Sequence, residues 1–348
     1  MLQNLRRPAL ALAASALLLT TACGGGESTS TSEAGSSDKL DVVVGFYPLQ
    51  YAAERVGGDD VAVTNMTQPG ADAHDLELTP RQIAALGEAD LVIHVKGFQP
   101  ALDEAIEQTK PKNVLDITTV VEMHEINADG THAHEHADEA PHEDHADDAE
   151  HAGDTHSQTP AATESHGPDD GHDHGAFDPH VWLDPTNMVK ISEATAAAMS
   201  TSRPDDAQSF TTNVAALTSE LTTLDEDFSN GLKTCERREF VTSHAAFGYL
   251  ADRYDLTEIG IRGLDPETEP SPARIAEVQE LAKKHGVTTI FYETTVSPAV
   301  AESIAGDLKL KTDVLDPLEG LSPDSKGSNY FEVMNSNLNA LKAANACS

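Results

Sequence analysis

Basic side chains are scarce in this 348-residue chain, with 22 Lys and Arg against 59 Asp and Glu and a formal net charge of −37. Positions 113–189 contain no Lys or Arg at all. Such a balance argues against a nucleic-acid partner and against electrostatic attachment to an anionic membrane surface. Long hydrophobic runs are also lacking. The one apolar stretch, 9–19, is too short to span a bilayer comfortably, and no other segment could cross a membrane. Large apolar residues are almost absent between 126 and 177, so that region cannot build a packed core.

What fills that region is histidine and acid. Eleven histidines lie between Glu122 and Phe177, among seventeen acidic side chains counted to Asp178. They include His132, His134 and His136, then His142 and His145, and finally His172 and His174. Imidazole binds zinc, copper and nickel, and surrounding carboxylates concentrate cations. The tract reads as a disordered, metal-attracting loop, with an acidic solvated linker carrying incidental histidines as the plainer alternative. Removing its seventeen acids still leaves a charge of about −20 on the remainder.

The N-terminus reads as a secretory address. Arg6 and Arg7 precede the apolar run, and Leu19-Thr20-Thr21-Ala22-Cys23 resembles a bacterial lipobox, with Thr20 where Leu is more usual. Cys23 is the expected lipidation site, and the Gly/Ser/Thr-rich stretch after it is a tether. Cys235 and Cys347 then remain as an even pair in an oxidising compartment, and a disulfide between them is expected.

Periodicity places two α/β halves around one long helix. Strands are predicted at 41–47, 61–67, 90–95 and 113–121, alternating with helices at 49–56, 79–89 and 100–108. After a helix at 186–200, positions 205–232 run without Gly or Pro until Gly231 and keep Phe210, Val214, Leu217, Leu221, Leu224 and Phe228 on one face. The second half repeats the rhythm, with strands at 239–243, 256–261, 287–292 and 311–315 and helices at 272–285, 298–309 and 329–344. The fold class is therefore two α/β lobes with mostly parallel sheets, joined by a rigid helix, with the site in the interlobe cleft. The expected division is 1–22 signal peptide, 23–38 lipidated Cys and tether, and 39–121 first lobe. The His-rich loop follows at 122–178, then 179–203 ending the first lobe, 204–232 linker helix, and 233–348 second lobe.

Five histidines lie outside the tract. His94 inside a strand and His285 at a helix end read as structural. His74, His180 and His244 sit at strand ends or in loops, and Asp316 closes another strand. Taken singly, each is more often a turn or cap residue than a ligand. Together, three imidazoles and a carboxylate, two from each half, form a plausible tetrahedral zinc set.

Four segments carry these residues in order. They are Pro69-Gly70-Ala71-Asp72-Ala73-His74 running on to Glu77-Leu78-Thr79-Pro80, then Asp178-Pro179-His180-Val181-Trp182-Leu183-Asp184-Pro185, then Ser243-His244-Ala245-Ala246-Phe247-Gly248-Tyr249, and Leu315-Asp316-Pro317-Leu318. With a His-rich insertion before the second, the chain resembles the zinc-uptake solute-binding proteins of bacterial ABC importers, the ZnuA type of the cluster A-I metal-binding proteins. The resemblance runs from about Leu40 to the C-terminus. Two departures are Ala73, where Pro usually precedes the first ligand, and Leu78, where Pro usually follows Glu77. Both bear on loop rigidity alone.

The resemblance implies a metal clamped by His74, His180, His244 and Asp316, with a water as the alternative fourth ligand. Manganese-binding relatives typically carry Glu at the third position, so His244 points to Zn2+ as the transported ligand. It also implies a long helix that limits closure, a monomer, a membrane permease partner, and lipid anchoring on the extracytoplasmic face of the cell membrane. Three competing functions stand beside zinc capture: another divalent metal such as manganese, a metal-dependent adhesin-like surface lipoprotein, and a zinc hydrolase. The last finds no support in sequence, because no HExxH helix, nucleophile elbow or other general-base motif occurs.

Overall fold

In a computed structural model, residues 39–125 and 177–348 are described. The signal, Cys23, the tether and the tract histidines from His132 to His174 lie outside the described residues. Within them, β1 (Leu40–Val44), β2 (Val61–Asn65), β3 (Leu91–His94) and β4 (Val114–Asp116) form one sheet, in the order β2-β1-β3-β4. A second sheet has the matching order β6-β5-β7-β8, from β5 (Glu239–Thr242), β6 (Thr257–Gly260), β7 (Thr289–Tyr292) and β8 (Lys311–Val314). Every pairing is parallel, as the alternation of strand and helix predicts.

The helices are α1 (Tyr47–Gly57), α2 (Pro80–Glu88), α3 (Pro100–Thr109), α4 (Pro185–Ser202) and α5 (Ala207–Leu232) in the first part. In the second they are α6 (Gly248–Arg253), α7 (Pro272–Lys284), α8 (Ala299–Leu308) and α9 (Tyr330–Asn345). Local chemistry explains several starts. Thr79 accepts from Gln82 N and completes a capping box, and Pro80 fits the first turn of α2, where its missing N–H costs nothing. Asp184, Ser271 and Asn329 cap α4, α7 and α9 with side chains that accept from Thr186 N, Arg274 N and Glu332 N. Strand β4 ends sooner than its apolar run predicts. Asp116 turns its side chain onto Thr118 N and caps a 3-10 turn instead. Helix α6 has six residues, too few to leave a periodic signal in the sequence.

The two faces of each sheet go to different cores. In β1, Leu40, Val42 and Val44 join one large cluster, while Val43 faces a smaller one with Met66, Leu86 and Leu102. In β5 and β7, Phe240 and Phe291 join the large cluster, and Val241 and Ile290 face the other side. This two-residue period is the strand pleat. The large cluster runs unbroken through Phe46, Trp182, Phe210, Phe228 and Tyr330, so one core spans both lobes and α5. Helix α5 has 26 residues, about 39 Å at 1.5 Å per residue. Its buried face carries Phe210, Leu217, Leu221, Leu224, Phe228 and Leu232, which makes it a packed strut.

Cys235 and Cys347 form the expected disulfide across 112 residues. It ties the start of the second lobe to its last helix. Among the described residues no helix is long and apolar enough to cross a membrane.

Candidate metal centre

His74, His180, His244 and Glu319 are brought together, and one potential ligand atom from each lies within 4.8 Å of all the others. His74 stands on the loop after β2. Gln99 holds that loop by donating Nε2 to Ala73 O and to Thr67 Oγ1, and His74 N donates to Asp72 Oδ1. The His74 ring meets Phe98 edge-on at 4.7 Å. His180 opens the 3-10 turn Val181–Leu183 that leads into α4. His244 follows β5. Glu319 lies five residues beyond the end of β8, on Asp316-Pro317-Leu318-Glu319. All four are nearly sealed from solvent, His74 being the most exposed at 8 %.

Two of the imidazoles are oriented by buried carboxylates. Asp178 Oδ1 accepts from His180 Nδ1 at 2.7 Å and from His180 N at 2.9 Å. Glu293 Oε1 accepts from His244 Nδ1 and from Ser243 Oγ, both at 2.8 Å. A carboxylate only accepts, so each Nδ1 carries the proton and each Nε2 is left for the centre. There Glu319 Oε1 stands 3.3 Å from His74 Nε2, 3.2 Å from His180 Nε2 and 3.4 Å from His244 Nε2. Charge-assisted hydrogen bonds are shorter, about 2.7–2.9 Å. A tetrahedron with zinc–ligand bonds of about 2.0–2.1 Å has edges of roughly 3.3–3.4 Å. The three oxygen–nitrogen separations match those edges. His244 Nε2 is moreover buried and makes no hydrogen bond, as a ligand atom awaiting a metal would.

Electrostatics prepares the same centre for a cation. Burial opposes charge on His180, but Asp178 and Glu319 outweigh it and lift the imidazole to about 9. His244 is likewise raised well above its ordinary value, against burial, by Glu293 and Glu319. Glu319 is held well below the carboxylate range despite burial, through the charge of His74 and the close approach of the three imidazoles. Without metal, His180 and His244 therefore favour imidazolium beside an anionic Glu319, and a metal must displace those protons. On the neighbouring β6, Glu258 accepts from Thr242 Oγ1 and Phe247 N, and burial lifts it to about 7.

The fourth member corrects the sequence expectation. Asp316 is buried at the strand end, but neither carboxylate oxygen joins the cluster. Oδ1 accepts from Leu318 N at 2.8 Å, and Oδ2 accepts from Ser325 Oγ at 2.9 Å and Thr294 Oγ1 at 3.4 Å. An Asp before Pro is a natural turn former, because its short side chain folds back onto the backbone two residues on. The carboxylate that reaches the imidazoles is Glu319, one residue past the Leu-Asp-Pro-Leu motif. Asp178, in the second motif, and Glu293, at the end of β7, also went unread as functional. Asp178 lies two residues before a candidate His and Glu293 directly follows a strand, and those were the available signals. His94 and His285 stand apart from the cluster as expected, bonded through Nδ1 to Asp103 at 2.9 Å and Glu239 at 2.7 Å.

A cavity of about 350 Å³ reaches the cluster from one side, lined by Tyr47, Gln50, Asn65, Thr67, Gln68 and Glu319 among others. Near the cluster, the described ends of the His-rich tract pair with each other. Glu125 and Phe177 form an antiparallel bridge, and Asp178 N donates to His124 O. His124 N donates to Tyr249 Oη, which donates to Asp178 O, and the two rings stack at 3.9 Å.

The sequence profile of the zinc-uptake complex component A (ZnuA), periplasmic, matches residues 42–344. The chain belongs to the ZnuA family. It is 33 % identical to the zinc-binding lipoprotein AdcA of Streptococcus pneumoniae over 97 % of its own length and 61 % of that protein's. It thus spans about three fifths of that relative. It is 32 % identical to the high-affinity zinc uptake system protein ZnuA of Bacillus subtilis, over 94 % of each chain. Among solved structures it resembles Zn(II)-bound AdcA of S. pneumoniae, with TM-score 0.67 and 29 % identity over 88 % of this chain and 58 % of that one. It also resembles Lmb, the laminin-binding protein of Streptococcus agalactiae, described as bifunctional with adhesin and metal-transporting activity. There the TM-score is 0.69 and identity 27 %, over 88 % of this chain and 99 % of that one. ZnuA-family proteins are solute-binding components of zinc uptake, and the two-lobed architecture with its long helix agrees with these neighbours.

Proposed function

We propose that this protein captures Zn2+ outside the cytoplasm and delivers it to the membrane permease of an ABC importer, with His74, His180, His244 and Glu319 as ligands. The observation that carries this reading is the spacing of Glu319 Oε1 at 3.2–3.4 Å from three imidazole Nε2 atoms, the edge of a zinc tetrahedron. Three imidazoles and one carboxylate favour zinc over manganese, which prefers oxygen donors. A site filled by four protein ligands leaves no open position for a substrate, which favours a binder over a hydrolase. Lipid at Cys23 would keep the protein beside its permease. The His-rich tract would serve as a weak collector feeding the cleft, since its described ends meet at Asp178, next to His180.

Calorimetric titration of metal-free protein with Zn2+, Mn2+, Cu2+ and Ni2+, together with elemental analysis, tests this. One tight zinc site lost on His244→Ala supports it, and equal or tighter binding of Mn2+ overturns the choice of metal. Deleting 129–175 should remove weaker sites and slow zinc uptake at limiting zinc while leaving the tight site. The likeness to Lmb favours a second reading, in which the same fold also adheres to host matrix. Laminin binding that needs bound zinc would support it, and growth rescue by added zinc in a deletion strain would favour transport alone.

A further inference from the structure

The segment Asp316-Pro317-Leu318-Glu319 is tied at most of its polar atoms, and the ties converge on Asp316. Its backbone N–H donates to Asn337 Oδ1 at 3.0 Å, and Asn337 Nδ2 donates back to Asp316 O at 2.8 Å. Trp182 Nε1 donates to Pro317 O at 2.7 Å. Leu318 is fully buried in the left-handed region, at φ +61°, a conformation bulky L-residues rarely adopt unless their surroundings impose it. At the entry to this step Asp316 Oδ1 accepts from Leu318 N, while Ser325 and Thr294 hold Oδ2 from the other side. The left-handed step turns the chain between Pro317 and Glu319. Glu319 O then accepts weakly from Tyr47 N at 3.4 Å. Of the four clustered residues, Glu319 alone also lines the 350 Å³ cavity.

We propose that Asp316 is a positioning residue that fixes the left-handed turn at Leu318, aims the Glu319 carboxylate at the imidazoles, and thereby sets the rate at which metal leaves through the adjoining cavity. The proposal rests on the ligand set given above. Without the Asp316 acceptor, Leu318 relaxes toward ordinary backbone angles and Glu319 swings toward the cavity it borders. Asn at 316 keeps the Oδ1 acceptor, and its amide can donate to the Ser325 and Thr294 hydroxyls, which accept as readily as they donate. Positioning therefore needs an acceptor at this position and does not need its charge, whereas a metal ligand needs the anion.

Zinc release from loaded full-length protein, challenged with excess chelator and followed through the single tryptophan, Trp182, whose ring lies 5.2 Å from His180, separates the two roles. Losing an outer-shell partner of a metal ligand costs roughly 10–100-fold. Asp316→Ala should release zinc faster by that factor, and Asp316→Asn should stay within about threefold of the parent, well under that range. Asp316→Asn as damaging as Glu319→Ala would overturn the proposal and make Asp316 a ligand. Asp316→Ala with native melting and parental release would overturn it as well. Should Asp316→Ala fail to fold, the Thr294→Val/Ser325→Ala pair carries the test, with faster release expected and unchanged release overturning the proposal. Failure of the ligand set itself would look different, because His244→Ala and Glu319→Ala would then both keep parental zinc affinity.

Discussion

The two lobes share a strand order but deliver their site residues differently. In the C-terminal lobe, His244 lies two residues past β5, its orienting Glu293 directly follows β7, and the Glu319 turn is anchored at Asp316 just past β8. Three neighbouring parallel strands thus set that half of the site. In the N-terminal lobe, His74 lies nine residues beyond β2, and His180 sits on a single 3-10 turn after the His-rich tract. Side chains and loop contacts hold that half. A strand end is fixed by ladder hydrogen bonds, on both sides for β5 and β7, whereas a loop is only as firm as its few ties. The N-terminal half is therefore where the site should loosen first.

The largest effect tests whether both halves are needed. His244→Ala and Glu319→Ala should each weaken zinc by more than about 100-fold, beyond the range of outer-shell losses, in calorimetric titration. If His74→Ala or His180→Ala costs much less, the strand-anchored half binds alone and the comparison sharpens. Acid comes next. Zinc must displace protons from Nε2, so affinity should fall about tenfold per pH unit for each proton displaced as pH drops below about 9.

The metal-free protein should show the opposite trend. His180 is lifted to about 9, above the ~6.5 of an unfolded imidazole, so its attraction to Asp178 and Glu319 stabilises the fold fully below ~6.5. That contribution is lost as pH rises through about 9. The zinc-induced rise in Tm should accordingly widen between pH 6 and 8.5 by scanning fluorimetry, and a constant difference would sink the proton competition.

Asp178→Asn and Glu293→Gln test the orienting carboxylates, one per half. Each should cost roughly 10-fold in affinity. The Asp178 variant should also speed zinc release more, because Asp178 orients a histidine in the loop-held half of the site. Gln99→Ala removes the tie on the His74 loop and should raise the release rate within roughly fivefold, the worth of about 1 kcal/mol. Equal sensitivity to a matched cut beside His244 would erase the difference between the halves. Cys235→Ser with Cys347→Ser should leave zinc affinity unchanged while lowering unfolding free energy by about 2–5 kcal/mol, measured in denaturant.

Much of this was legible in the chain. Parallel α/β lobes followed from strand and helix periods of 2 and 3.6, and α5 from an unbroken apolar face between Phe210 and Phe228. His74, His180 and His244 stood out because strand ends in such sheets gather ligands. The fourth carboxylate was misplaced by three residues. Asp316 ends the apolar strand and so looked like the ligand, whereas the left-handed Leu318 reverses the chain and presents Glu319 instead. No periodic pattern encodes one positive φ, and helix α6 was hidden by the same shortness of signal.

The sequence by itself determined the class of donors and the two-lobed parallel architecture, since these depend on composition and period, and cysteine parity pointed to the Cys235–Cys347 pairing that the structure shows. Only the tertiary structure decided which carboxylate faces the imidazoles and which ones orient them. Asp178, Glu293, Asp316 and Glu319 are chemically interchangeable on paper. Distances between 2.7 and 3.4 Å, set by packing across both lobes, sort them into orienting groups, a turn anchor and a central carboxylate.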